Sequence, residues 1–152
     1  MGGSMEAKVP GPGSQHGIYI YSPGEGGWKI HRVDGGALDP KELGDGVVVV
    51  YFDNALCPAC RLQDRYWLEV VNKYSGDGRV RFVVVLCDWF SQNCSSKAAA
   101  ESFNHHRIGA SPTIAVFAVK NGEVVYKEYL EGVRPANIIA LYIDRALKAY
   151  TG

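Results

Sequence analysis

The chain has 152 residues, 47% of them hydrophobic and 21% charged, with 16 basic residues balanced by 16 acidic ones. That size and balance suit one soluble globular domain that builds a core without disulfides or metal as scaffold. With zero net charge and no basic stripe, nothing argues for nucleic acid or an anionic membrane surface, and the longest apolar run, Val47 to Phe52, is too short to span a bilayer.

Residues 1–17 are rich in Gly, Pro and Ser and read as a flexible N-terminal tail. They hold no apolar stretch of signal-peptide length, so the expected compartment is the cytoplasm. Met1 to Ser4 looks like a cloning remnant before a native start at Met5. Residues 18–152 are expected to form a single domain.

Within that domain, Ile18 to Tyr21 and Trp28 to Val33 are rich in strand formers. Pro23-Gly24-Glu25-Gly26-Gly27 between them is turn chemistry, which predicts a β-hairpin. Asp39-Pro40 starts a short helical turn, with Asp39 as N-cap. Val47 to Phe52 is a continuous β-branched and aromatic run, the signature of a central strand buried on both faces. A helix follows over about Pro58 to Tyr74, with Trp67, Val70, Val71 and Tyr74 at i, i+3, i+4 and i+7. Gly76-Asp77-Gly78 ends it, and Val80 to Leu86 is a second buried strand. Strand, helix and strand in this order predict a right-handed parallel βαβ unit.

A shorter helix is expected over about Ser96 to Asn104. Thr113 to Val119 and Glu123 to Leu130 are strands joined by Asn121-Gly122, a type I′ hairpin signal. The last helix starts near Pro135 and buries Ile139, Tyr142, Ile143 and Ala146. The fold class is α/β: a central mixed sheet flanked by helices, with an extra N-terminal hairpin.

Chemistry concentrates at Cys57-Pro58-Ala59-Cys60, between a buried strand and a helix. Pro58 suits the first helical position, where a missing N–H costs nothing. Cys57 then stands at the N-cap, facing unpaired amides and the positive end of the helix dipole. Both favour a thiolate, the species that attacks disulfides. Cys60 lies one turn on and seven residues before Trp67, on the buried face. A difference in exposure between the two sulfurs suits a two-step exchange, with Cys57 attacking and Cys60 resolving. A zinc half-site would need two further ligands. Cys87 and Cys94 fit poorly, and His105 and His106 are adjacent and point in different directions. The redox assignment is therefore favoured over metal or structural pairing, and no metal or cofactor is expected.

From about Trp28 onward the sequence resembles the thioredoxin superfamily. The matching pieces are the Val47–Phe52 strand leading into Cys57-Pro58-Ala59-Cys60, then Ile108-Gly109-Ala110-Ser111-Pro112-Thr113, Lys120-Asn121-Gly122-Glu123, Gly132 and a closing amphipathic helix. The resemblance implies a thioredoxin-like fold with Pro58, Ala59 and a cis Pro112 supporting the cysteines. It implies that the backbone of Ser111 pairs with an extended substrate and that Gly132 lets the substrate approach. It also implies protein disulfide or dithiol substrates, an electron donor of the thioredoxin reductase type, and a monomer. The match is incomplete. Thioredoxins usually carry Trp-Cys-Gly-Pro-Cys, where this chain has Leu56-Cys57-Pro58-Ala59-Cys60. They place a buried Asp six residues before the first cysteine, where this chain has Tyr51, and a lysine in the next parallel strand, here Val84. Asp53 is the nearest acidic candidate for the proton acceptor of Cys60, on the same side of the strand as Tyr51.

Cys87 ends the second buried strand, so it should share a sheet edge with Cys57. Three roles are open for Cys87 and Cys94: a disulfide bracing the intervening loop, a second dithiol that relays electrons, or two inert thiols. The bracing disulfide is favoured. Trp89 and Phe90 on that loop serve equally well as an apolar rim for a protein substrate or as core. Two functions therefore compete. One is a thiol–disulfide oxidoreductase with Cys57 as nucleophile and Cys60 as resolver. The other is a binding module that holds a partner protein, or a soft metal ion at Cys57 and Cys60, without turnover.

Overall fold

The structure, a computed structural model, describes residues 8–152. Six strands and three helices follow in chain order: β1 Gly17–Ser22, β2 Gly27–Arg32, β3 Gly46–Asn54, α1 Pro58–Tyr74, β4 Val80–Cys87, α2 Lys97–His105, β5 Thr113–Lys120, β6 Glu123–Glu131 and α3 Ala136–Thr151. Short 3-10 turns at Pro23–Glu25 and Pro40–Leu43 punctuate the first third. The second has the expected cap: the Asp39 carboxylate accepts from the Lys41 N–H, and Glu42 bonds back to the Asp39 N–H.

The strands form one mixed sheet in the order β2-β1-β4-β3-β5-β6. β3 and β4 run parallel across the α1 crossover, and every other pairing is antiparallel. Parallel strands joined by a helix need cover on both faces, which is why β3 and β4 read as unbroken apolar runs. Alternate residues divide between two cores. Val47, Val49 and Tyr51 of β3 meet Trp67, Val70 and Val71 of α1 and Ile139 and Ile143 of α3 on one face. Val48, Val50 and Phe52 meet Ala98, Ala99 and Phe103 of α2 on the other.

The N-terminal hairpin adds β1 to the free side of β4 and leaves β2 at the edge. At the opposite edge Asn121 and Gly122 both have positive φ, as a type I′ turn requires, and the Asp45 carboxylate accepts from both amides.

Residues 1–7 lie outside the described residues, whereas 8–16 lie against the body. Val9 packs on the α1-side core, Pro10 is buried, and Gln15 C=O accepts from the Tyr19 hydroxyl at 2.6 Å. Composition alone marked this stretch as chain without structure. Its few apolar and hydrogen-bonding side chains suffice to seat it.

Candidate functional site

The C-terminal ends of β3 and β4 lie together, and the site assembles there. Ala55 N–H and Leu56 N–H donate to the Cys87 and Asp88 carbonyls, tying the start of the CPAC turn to the end of β4. Cys57 is the N-cap of α1 with Pro58 at the first helical position. Its sulfur accepts from the Cys60 N–H at 3.2 Å, using one of the amides that a helix start leaves unpaired. Both cysteines carry free thiols. The expected contrast in exposure is small: Cys57 is 4% exposed and Cys60 0%. The Ser111 carbonyl lies against Cys57, and burial alone does not separate the roles.

The Ser111–Pro112 peptide is cis and faces this turn. Ser111 O accepts from the Cys57 thiol at 3.8 Å, and Ser111 Oγ lies 3.2 Å from Cys60 Sγ. Gly132 N–H donates to the Pro112 carbonyl at 2.8 Å, which draws the end of β6 into the same groove. Gly132 has φ 84°, a region other residues rarely adopt, and a Cβ there would project into open space. Buried Gln63 fixes the chain just beyond: its amide accepts from Arg134 N–H and donates to Arg134 C=O at 2.8 and 2.9 Å.

Beneath Cys60 lies a polar cluster that includes Asp53, the acidic candidate named along the chain, and joins it to Tyr51, Arg61 and Asp64. Tyr51 stands six residues before Cys57, and its hydroxyl lies 2.8 Å from two acceptors, Cys60 C=O and Asp64 Oδ1, which share its single proton. Arg61 spans the cluster. It donates to Asp53 Oδ1 at 2.8 Å, to Asp64 Oδ2 at 3.0 Å and to Ala55 C=O at 2.7 Å. One cation thus serves two carboxylates. Asp53 has no solvent exposure, and its Oδ2 has no hydrogen-bond partner. Burial pushes its carboxyl up to about 7, the Asp64 charge adds to this, and Arg61 and the Cys60 thiol oppose it. Burial also pushes the Cys60 thiol well above its ordinary range. Beyond Asp53 itself, the i, i+3 spacing of Arg61 and Asp64 is the one signal for this cluster in the sequence.

Cys87 and Cys94 are joined in a disulfide that closes the loop 88–93. Trp89 and Phe90 differ in placement. Trp89 is 43% exposed, while Phe90 packs edge-on against Phe103 of α2. His16 clasps the loop from outside, bonding Asp88 and the Ser95 amide at 3.1 and 2.9 Å. A cleft of about 280 Å³ opens between Trp89, Phe90, Phe103 and Ile108. Among the described residues no group of three or more His, Cys, Asp or Glu converges as a metal site, and no helix is long and apolar enough to cross a membrane.

No known protein-family model matches the chain, and no curated protein does. Solved structures do. Thioredoxin from Aeropyrum pernix superposes with a TM-score of 0.55 at 19% identity, covering 91% of this chain and 98% of its own. Trichomonas vaginalis thioredoxin gives 0.55 at 14% identity over 75% of this chain and 96% of its own. The Trx4 domain of ERdj5 gives 0.55 at 19% identity over 77% and 97%. The fold is thioredoxin-like.

Proposed function

From a thioredoxin-like fold that sets Cys57 at a helix start and Cys60 beneath it, we propose that the chain is a thiol–disulfide oxidoreductase acting on protein substrates. One observation carries this: both free thiols lie against the cis Ser111–Pro112 loop, within 3.8 Å of Ser111 atoms. A groove that presents backbone groups beside a dithiol suits an extended chain bearing a disulfide.

The Cys57 thiolate attacks one sulfur of the substrate disulfide. A Cys57–substrate bond forms and the other substrate sulfur leaves as a thiolate. Cys60 then attacks Cys57 Sγ, the Cys57–Cys60 disulfide forms, and the second substrate thiolate leaves. The Cys60 proton goes to Asp53, whose unpartnered Oδ2 can accept it and whose carboxyl is held near neutrality. The Ser111 backbone and Gly132 flank the substrate chain. Exposed Leu56 and Trp89 give it an apolar rim. A reductase of the thioredoxin reductase type returns the dithiol to its reduced state.

The test is insulin-disulfide reduction with dithiothreitol as donor, alongside trapping of covalent adducts. Cys57→Ser should abolish activity, and Cys60→Ser should accumulate mixed disulfides. Activity surviving in Cys57→Ser would overturn the assignment of roles.

A further inference from the structure

Asn54 is the last residue of β3 and is fully buried. Its carboxamide is used at both ends. Oδ1 accepts from the Phe90 backbone N–H at 2.7 Å, and Nδ2 donates to Ser111 Oγ at 2.9 Å. The Phe90 amide can only donate, so the opposite orientation would set two donors against each other. The amide therefore has one orientation, dictated by the loop that Cys87–Cys94 closes.

Ser111 Oγ receives the Asn54 Nδ2–H and lies 3.2 Å from Cys60 Sγ. A hydroxyl has one proton. With Asn54 donating into one lone pair, that proton turns away from Asn54. A Cys60 thiolate has no proton of its own, so the hydroxyl must donate to it. Asn54, Ser111 and Cys60 thus form a directed chain of donors that ends on sulfur.

We propose that Asn54 is a positioning residue for the resolving step, aiming the Ser111 hydroxyl at Cys60 as its thiolate forms. This rests on the role of Cys60 proposed above. Burial pushes the Cys60 thiol up, as does the neighbouring Cys57, while hydrogen bonds from the Ser111 side chain and the Asn54 backbone oppose them. The chain of donors acts where the buried sulfur needs it, because charge buried without hydrogen bonds is costly.

The reaction with dithiobis(nitrobenzoate) separates the two steps. Cys57 attacks the probe and releases one thionitrobenzoate. Cys60 then displaces the second from the Cys57 mixed disulfide. Stopped-flow absorbance reads both phases. Asn54→Ala should slow the second phase about tenfold, the low end for a hydrogen bond to a charged group, and leave the first unchanged. The pH profile of the second phase should move to higher pH, a change that general loosening of the fold would not produce. Ser111 is only half-buried. Ser111→Ala should give the same slowing even where Asn54→Ala fails to fold, and the double variant should be no slower than either single one. A second phase in Asn54→Ala that matches wild type in rate and pH profile would overturn the proposal, as would additive effects in the double variant. Cys57→Ser separates this from the role assignment. A surviving first phase there sinks the roles, whereas an intact first phase in wild type with an Asn54-insensitive second phase sinks the positioning role alone.

Discussion

Arg61 lies against Asp53 with Nη2 at 2.8 Å from Oδ1, while Oδ2 of the same buried carboxylate has no hydrogen-bond partner. The pair is lopsided by construction. One oxygen is held by a cation that Asp64 also shares, and the other is left able to take a proton. In a medium that penalises charge, such a carboxylate sits close to neutrality instead of staying firmly ionised.

Removing the cation should expose that balance. Arg61→Leu leaves two buried or half-buried carboxylates without their counter-ion. Loss of one partner of a buried pair costs about 3–5 kcal/mol. Because Asp53 escapes part of the cost by protonation, the loss should be larger near pH 8 than near pH 5. Urea unfolding at the two pH values checks this, and equal losses at both would count against it.

Asp53 itself has a defined sign. Its folded pKa is raised to about 7 from an ordinary 3.8. The folded state binds this proton more tightly than the unfolded chain does. The contribution is therefore fully present below the ordinary value and is lost as pH rises through about 7. Asp53→Asn should flatten the decline of stability across that window. It should also slow the resolving step and remove its pH dependence near neutrality. Parallel stability–pH curves for wild type and variant would refute the assignment.

The Cys87–Cys94 bridge spans a sequence separation of 7. Closing so short a loop restricts the unfolded chain by about 2–3 kcal/mol. Cys87→Ala/Cys94→Ala should lower stability by about that amount in urea unfolding. It should also loosen Phe90, and with it the Asn54 amide, so the second probe phase slows while the first holds. Unchanged stability would show that the bridge does not brace the loop.

Leu56, next to Cys57 in the chain, and Trp89, on the loop after β4, are 61% and 43% exposed. If they form the substrate rim, Leu56→Ser/Trp89→Ser should raise KM for insulin several-fold while leaving the small probe's first phase alone. Contacts at the rim of an interface each cost well under the roughly 2 kcal/mol of a central anchor, which fits a several-fold change. Equal effects on insulin and the small probe would instead place the change at the sulfur.

Much of the frame was legible along the chain. Val47 to Phe52 reads as a strand covered on both faces because every residue in it is apolar, and alternation then divides it between two cores. Asn121-Gly122 names its own turn because both residues must take positive φ. The i, i+3, i+4 spacing of Trp67, Val70 and Val71 places α1 and hence its N-cap. Residues 8–16 give no such signal, because a Gly- and Pro-rich stretch shows no period even where Val9 and Pro10 pack against the body.

The sequence by itself determined that a dithiol sits at a strand-to-helix junction, since Cys57-Pro58-Ala59-Cys60 combines a helix-start proline with flanking apolar periodicity. It also put Cys87 at the same sheet edge. Asp53 and the Ser111–Pro112 loop are candidates along the chain; only the tertiary structure decided how they and their neighbours join around those sulfurs. Tyr51, Asp53, Asn54, Arg61, Asp64 and Ser111 come from a strand, a helix and a distant loop. No local rule pairs them. Apolar patterning is a property of short windows, whereas a buried polar group takes whichever partner the fold brings within about 3 Å. That is why the place of the thiols, and Asp53 as an acidic candidate beside them, could be read along the chain, and why Asn54, Arg61 and Asp64 could not.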